Sequence, residues 1–111
     1  MTIDNLGVVD RIDWNSETDE VALIIIDHLG WTGDDQSNKE HMYFLQEKVN
    51  AYLEFIESGE IYQSCPKARA REIVILVMAM DPLSQEAEIF FEKVKAFVLK
   101  TGHKMRFWHI S

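Results

Sequence analysis

The sequence predicts an α+β fold: a two-layer sandwich in which a mostly antiparallel sheet of four to five strands carries two helices on one face. Three observations predict it. Val21 to Ile26 and Ile73 to Met80 are apolar at every position, as in strands buried on both faces. Two longer stretches, one between these runs and one after them, repeat apolar residues at helical spacing. The 111 residues, 47% of them hydrophobic and 27% charged, suffice for one compact domain over 1–111.

The elements follow in order. Val8, Ile12 and Trp14 alternate with Val9, Arg11 and Asp13, so residues 6–14 form a half-buried strand. Asn15 to Asp19 is a polar turn, which makes a hairpin with the strand Val21 to Ile26. A loop from Asp27 to Gln36 follows. Ser37 and Glu40 have the spacing of a capping box and open the first helix. Met42, Leu45, Val49, Tyr52, Leu53 and Ile56 form its apolar stripe, with Glu40, Glu47 and Glu54 on the solvated side. Gly59 supplies the left-handed residue that ends it.

Glu60 to Ala70 is either an irregular connection or an edge strand over Ile61 to Cys65. Ile73 to Met80 is the second fully buried strand, and Asp81-Pro82 breaks it and opens the second helix. That helix carries Leu83, Ala87, Phe90, Val94 and Phe97 on one face and stops at Gly102. Lys104 to Ile110 closes the chain as a strand in which Met105 and Phe107 alternate with Lys104 and Arg106. Two strand orders satisfy this pattern. One is a ferredoxin-like arrangement with Ile61 to Cys65 as a strand. The other is the simple order 1-2-3-4 with Glu60 to Ala70 as a loop.

Charge narrows the partners. The net charge is −8, and it is uneven. Residues 1–66 hold 14 acids against three bases, whereas residues 67–111 hold five acids against eight bases. Such a chain repels phosphates, so nucleic acid is not the expected partner and a basic protein is the better one. The longest apolar run has eight residues, far short of the roughly 20 that span a bilayer, so no membrane role is expected. Cys65 is the lone cysteine, which removes any internal disulfide, and the Met-Thr-Ile-Asp-Asn start lacks a signal-peptide layout. The expectation is a cytoplasmic protein with no cofactor.

The candidate chemistry gathers in the loop after the first buried strand. Asp27 and His28 end that strand, Asp34, Asp35 and His41 follow, and Asp81 ends the other buried strand. Convergence of Asp27, His28 and Asp81 would suit a divalent metal or proton transfer. No His-Glu-x-x-His, calcium-loop or Gly-x-Ser-x-Gly spacing accompanies them. The structural use of the same residues has Asp81 capping the second helix and Asp27 satisfying loop amides. Gly30-Trp31-Thr32-Gly33 lacks the lysine of a phosphate loop. Trp31 between two glycines either stands exposed as a binding anchor or folds back over the helix end. With Asp34 and Asp35 it makes the candidate partner-binding surface.

Other singular residues point less far. Ser64-Cys65-Pro66 matches no cysteine-enzyme signature, and His103 and His109 stand too far apart along a strand to share a metal. Lys67, Arg69 and Arg71 suit an anion or, more simply, a charged edge that blocks sheet-to-sheet pairing.

Three stretches carry a family resemblance. They are Glu17-Thr18-Asp19-Glu20-Val21 leading to Asp27-His28-Leu29; Leu45 to Leu53 through Ile56-Glu57-Ser58-Gly59-Glu60; and Ile73-Val74-Ile75. Over roughly residues 8–110 the chain resembles a family of small bacterial proteins catalogued as a domain of unknown function. The resemblance implies a stand-alone bacterial cytosolic domain and brings no catalytic motif.

The function expected from the sequence is a non-catalytic, acidic protein-interaction domain. If both helices cover one sheet face, the other face keeps half of each buried strand and is closed by a homodimer or a partner. The rival expectations are a small metal-dependent hydrolase using Asp27, His28 and Asp81, and a ligand-binding regulatory domain.

Overall fold

A computed structural model describes residues 11–27, 31, 35–80 and 83–109. Among these residues it is an α+β structure with four strands, three α-helices and one 3-10 turn. The chain runs β1 (Arg11–Asn15), β2 (Glu20–Asp27), α1 (Asp35–Glu57), α2 (Glu60–Ser64), the 3-10 turn (Pro66–Ala70), β3 (Glu72–Ala79), α3 (Gln85–Lys100) and β4 (Lys104–His109).

The sheet order is β1-β2-β3-β4. β1 pairs antiparallel with β2, but β2 with β3 and β3 with β4 are parallel. The expectation of a mostly antiparallel sheet is therefore corrected. The reason is connectivity: a helix follows β2 and another follows β3, and each carries the chain back to start the next strand in the same direction. The ferredoxin-like arrangement falls with it, because Ile61 to Cys65 lies not in a strand but in α2 and its end. Of the expected strand over residues 6–14, positions 6–10 lie outside the described residues.

The first turn is tightened by its own polar groups. Asn15 Oδ1 accepts from the Glu17 amide at 3.0 Å, and Asp19 takes a left-handed φ of 56°. Arg71 Nε then donates to Asp19 Oδ1 at 2.6 Å, tying the turn to the entry of β3. Helix α1 begins at Asp35, two residues before the expected cap, so Ser37 lies inside the helix and the capping box does not start it. Gly59 ends this segment as expected, at φ 86°. Helix α3 is capped by Ser84, whose Oγ accepts from the Ala87 amide at 3.1 Å. Asp81 and Pro82, expected to open that helix, lie outside the described residues.

Register sorts the side chains of the sheet. Val21, Leu23, Ile25 and Asp27 of β2 share a face with Ile73, Ile75, Val77 and Ala79 of β3 and with Met105 and Phe107 of β4. Leu45, Val49, Tyr52, Leu53 and Ile56 of α1 and Phe91, Val94 and Val98 of α3 join most of them in the main core cluster. Each such side chain contributes about 1.5–3 kcal/mol when fully buried. On α3 the buried stripe is Ala87, Phe91, Val94 and Val98, so the expected stripe through Phe90 and Phe97 is displaced around the helix. Phe97 is 52% exposed and lines a groove of about 420 Å³ between α1 and α3, with Phe90, Val94 and Val49. No described helix is long and apolar enough to cross a membrane.

Candidate functional site

Two regions of this fold place polar groups where packing alone does not call for them. The first lies at the carboxyl end of β2. Asp27 is the last residue of β2, 1% exposed, and its carbonyl accepts from the Met80 amide at 3.1 Å just beyond β3. Its carboxylate meets His41 of α1, also 1% exposed: Nε2 lies 2.8 Å from Oδ1 and 2.7 Å from Oδ2. Nε2 is the ring nitrogen that faces the carboxylate, and Nδ1 is left to other partners.

Trp31 lies flat on that imidazole, with centroids 3.7 Å apart and planes 15° from parallel. The tryptophan is half-buried, so of the two placements open to it the structure shows the inward one. Two buried nitrogens of the stack, His41 Nδ1 and Trp31 Nε1, have no hydrogen-bond partner among the described residues. An unpaired buried polar atom costs about 1–3 kcal/mol, so each asks for an explanation.

The helix carries this polarity inward. Asn38, His41, Leu45, Lys48 and Tyr52 recur three or four residues apart, and all are buried. Lys48 is fully buried with Nζ 5.6 Å from the centre of the Tyr52 ring, and Tyr52 Oη donates to the Ile24 carbonyl at 2.6 Å. Asn38 and Lys48 were invisible to a reading that counted apolar positions; the same helical spacing, applied to polar residues, would have found them.

The expected metal cluster is only partly placed. Asp27 is held by His41, while His28 and Asp81 lie outside the described residues. Among the described residues no three His, Cys, Asp or Glu side chains gather as metal ligands do. Of the expected partner-binding residues, Trp31 stacks inward and Asp34 lies outside the described residues. Asp35 is exposed at the start of α1 and pairs with Lys39 at 3.2 Å. Cys65 is half-buried against the core. Lys67 and Arg71 stand over the Trp14 ring at 4.2 and 5.1 Å, and Arg69 over Tyr62 at 5.0 Å.

The second region is the other face of the sheet. Here Ala22, Ile24 and Ile26 lie beside Val74, Leu76 and Met78, with Trp108 beyond Met78 on β4. Ile24 and Val74 are buried, Ile26, Leu76 and Met78 half-buried, and Trp108 is 58% exposed. Ala22, Ile24, Leu76, Met78 and Trp108 border a groove of about 550 Å³ that reaches Arg11 and Asp13 on β1.

Charges on this face are matched. Arg11 Nε pairs with Asp13 at 3.0 Å, and Lys104 Nζ with Glu72 at 2.7 Å. Arg106 reaches across β3 and donates from Nη1 and Nη2 to the two oxygens of Glu20, at 2.7 and 2.9 Å. Hydrogen bonds from Arg106, more than any other influence, hold the Glu20 carboxyl below its ordinary value against the opposing effect of burial. The same pairing raises the Arg106 guanidinium further.

A protein-family model described as "Family of unknown function (DUF6572)" matches residues 1–111. No curated protein matches the chain, and no solved structure does.

Proposed function

The chain belongs to that family of unknown function, and from this premise we propose that it is a non-catalytic interaction domain that binds a second copy of itself through the sheet face bearing Ile24, Leu76 and Trp108. The observation that carries the reading is a charge-balanced, apolar-centred face on a strongly acidic protein. Every described helix places residues in the core on the opposite face: Leu45 of α1, Ile61 of α2, Ala68 of the 3-10 turn and Val94 of α3. On this reading residues 1–111 are one two-layer domain of sheet and helices whose open sheet face is covered by its partner.

Charge selects the occupant. Arg11, Lys104 and Arg106 offset Asp13, Glu20 and Glu72, so these paired side chains carry no net charge while the chain carries −8. Two copies repel least when they meet through such a face. A basic partner would find no excess of acid among those pairs. Exposed tryptophan beside a groove that pairs Ile24, Leu76 and Met78 with a polar border is the composition of an interface centre, and a two-fold contact lets Trp108 of each copy enter the groove of the other.

Sedimentation equilibrium at micromolar concentration tests the reading. The expected result is a dimer for the native chain and a monomer for Trp108→Glu. A native chain that stays monomeric, or a dimer indifferent to both Trp108→Glu and Met78→Glu, overturns it.

A further inference from the structure

We propose that the groove between α3 and the outer edge of β4 receives an extended peptide segment of another protein, basic at one end and acidic at the other. The segment adds to the sheet as one more strand. The backbone gives the first reason. Among the described residues β4 pairs only with β3 and so closes one side of the sheet. Alternate residues of such a strand turn an amide and a carbonyl away from their partner strand, and these groups bond another chain readily. Lys104–His109 supplies six residues, an edge about 20 Å long.

The edge runs beside a helical wall. Phe91, Glu92 and Lys95 of α3 border a groove of about 360 Å³ with Leu83, Glu88 and Phe107. Lys95 and Leu99 border a second of about 150 Å³ with Lys104, Met105 and Arg106. Lys95 belongs to both, so one furrow follows β4. Its floor is apolar: Phe91 and Met105 are buried, and Phe107 stands edge-on to Phe91 with ring centres 5.5 Å apart. Leu99, 65% exposed, is left uncovered by the fold itself. An added strand directs every second side chain into this furrow, so apolar residues at alternate positions fit it.

Charge chooses the occupant. Glu88 and Glu92 are exposed toward the Phe107 end, and Lys95 is exposed where the furrow continues to Met105. Lys104 and Arg106 turn to the other sheet face, where Glu72 and Glu20 hold them. Lys95 is therefore the cation that the furrow offers. A segment fits when its base meets the two glutamates and its acid meets Lys95. The β4 strand of a second copy, Lys-Met-Arg-Phe-Trp-His, has no acid to give. Antiparallel addition is the more stable per residue, and in that direction the base precedes the acid.

The test titrates the full-length labelled chain with the end-blocked peptide Lys-Thr-Val-Thr-Val-Thr-Glu, read by nuclear magnetic resonance and hydrogen exchange. Saturable shifts are expected in the β4 amides and in Lys95 and Leu99, with new exchange protection at alternate residues of β4. N-methylation of one alternate set of peptide amides should abolish binding and methylation of the other set should leave it, because one set alone faces β4. Lys95→Glu should weaken this peptide about fivefold, and a peptide with lysine at both ends should recover the loss. No saturable shift in β4, indifference to both methylated sets, or equal affinity in Lys95→Glu overturns the proposal. Protection of the same β4 amides in the peptide-free chain overturns it too. Protection independent of concentration means that the chain covers its own edge, and protection that rises with concentration means that a second copy does.

Discussion

The imidazole of His41 bridges both carboxylate oxygens of Asp27, at 2.8 and 2.7 Å, and so fastens the end of β2 to the opening turns of α1 inside the protein. This contact ties helix to sheet on the face of α1 that also buries Asn38 and Lys48.

Removing the imidazole should therefore cost more than its apolar area. His41→Ala leaves the Asp27 carboxylate buried beside a cavity, and we expect a loss of about 3 kcal/mol. Chemical denaturation of the variant and the native chain measures it. A loss below the cost of an ordinary surface substitution would show that Asp27 does not depend on this partner.

Glu20 predicts an acid limb. Its folded carboxyl lies below the ordinary value of 4.5 because Arg106 hydrogen-bonds the charged form. A depressed folded value means that the native state binds fewer protons than the unfolded chain in that range. The contribution is complete above the ordinary value and is lost as pH falls through the folded one. Glu20→Gln should lower stability in the neutral range, where the contribution is complete, and flatten the profile below about pH 4.5, where the native chain loses it. An acid limb of unchanged slope would refute the assignment.

Gly59 isolates a backbone effect. It sits at φ 86°, and a Cβ added there meets nothing within 4 Å. Gly59→Ala should thus cost about 1 kcal/mol through the left-handed conformation alone. Asparagine, which tolerates that region better, should cost less. Thermal melts of the two variants check the order.

Trp108 separates association from folding. Being exposed on an edge strand, it should tolerate Glu with a monomer stability within about 0.5 kcal/mol of the native chain. The dimer fraction should fall sharply in the same protein. Far-ultraviolet melts at low concentration and sedimentation at high concentration read the two effects apart.

Much of the fold is legible in the sequence where one cause dominates. The runs Val21–Ile26 and Ile73–Met80 are apolar throughout and become the two central strands. Gly59 and Gly102 mark chain reversals because both adopt positive φ. What sequence patterning did not resolve depends on competition. Ser37 and Glu40 have capping geometry, yet the helix extends to Asp35. Phe90 and Phe97 look equal to Phe91 and Val98 by hydrophobicity, and only the direction in which α3 meets β4 chooses between them. The parallel pairings follow from where the helices carry the chain, which local periodicity does not encode.

The candidate sites were legible in part. The sequence groups Asp27 with His28 and Asp81, and Trp31 with Asp34 and Asp35, because nothing local says that an aspartate on a strand and a histidine on a helix will meet. The Arg106 reach to Glu20 spans most of the chain and two strand boundaries, and no short-range pattern signals it.

The topology also orders events during folding. β1 and β2 are separated only by the turn Ser16–Asp19, so their hairpin closes locally and can zip early. β2 cannot find β3 until the whole segment from Asp27 to Glu72 has looped back, an entropic cost that non-local pairing must overcome. A nascent chain therefore carries an apolar hairpin edge, Val21 to Ile26, that waits for a strand still to be synthesised. Helix α1 is the next long element to be made, and its Leu45, Val49 and Tyr52 share a core with Val21, Leu23 and Ile25, so it can cover one face of that strand before β3 arrives.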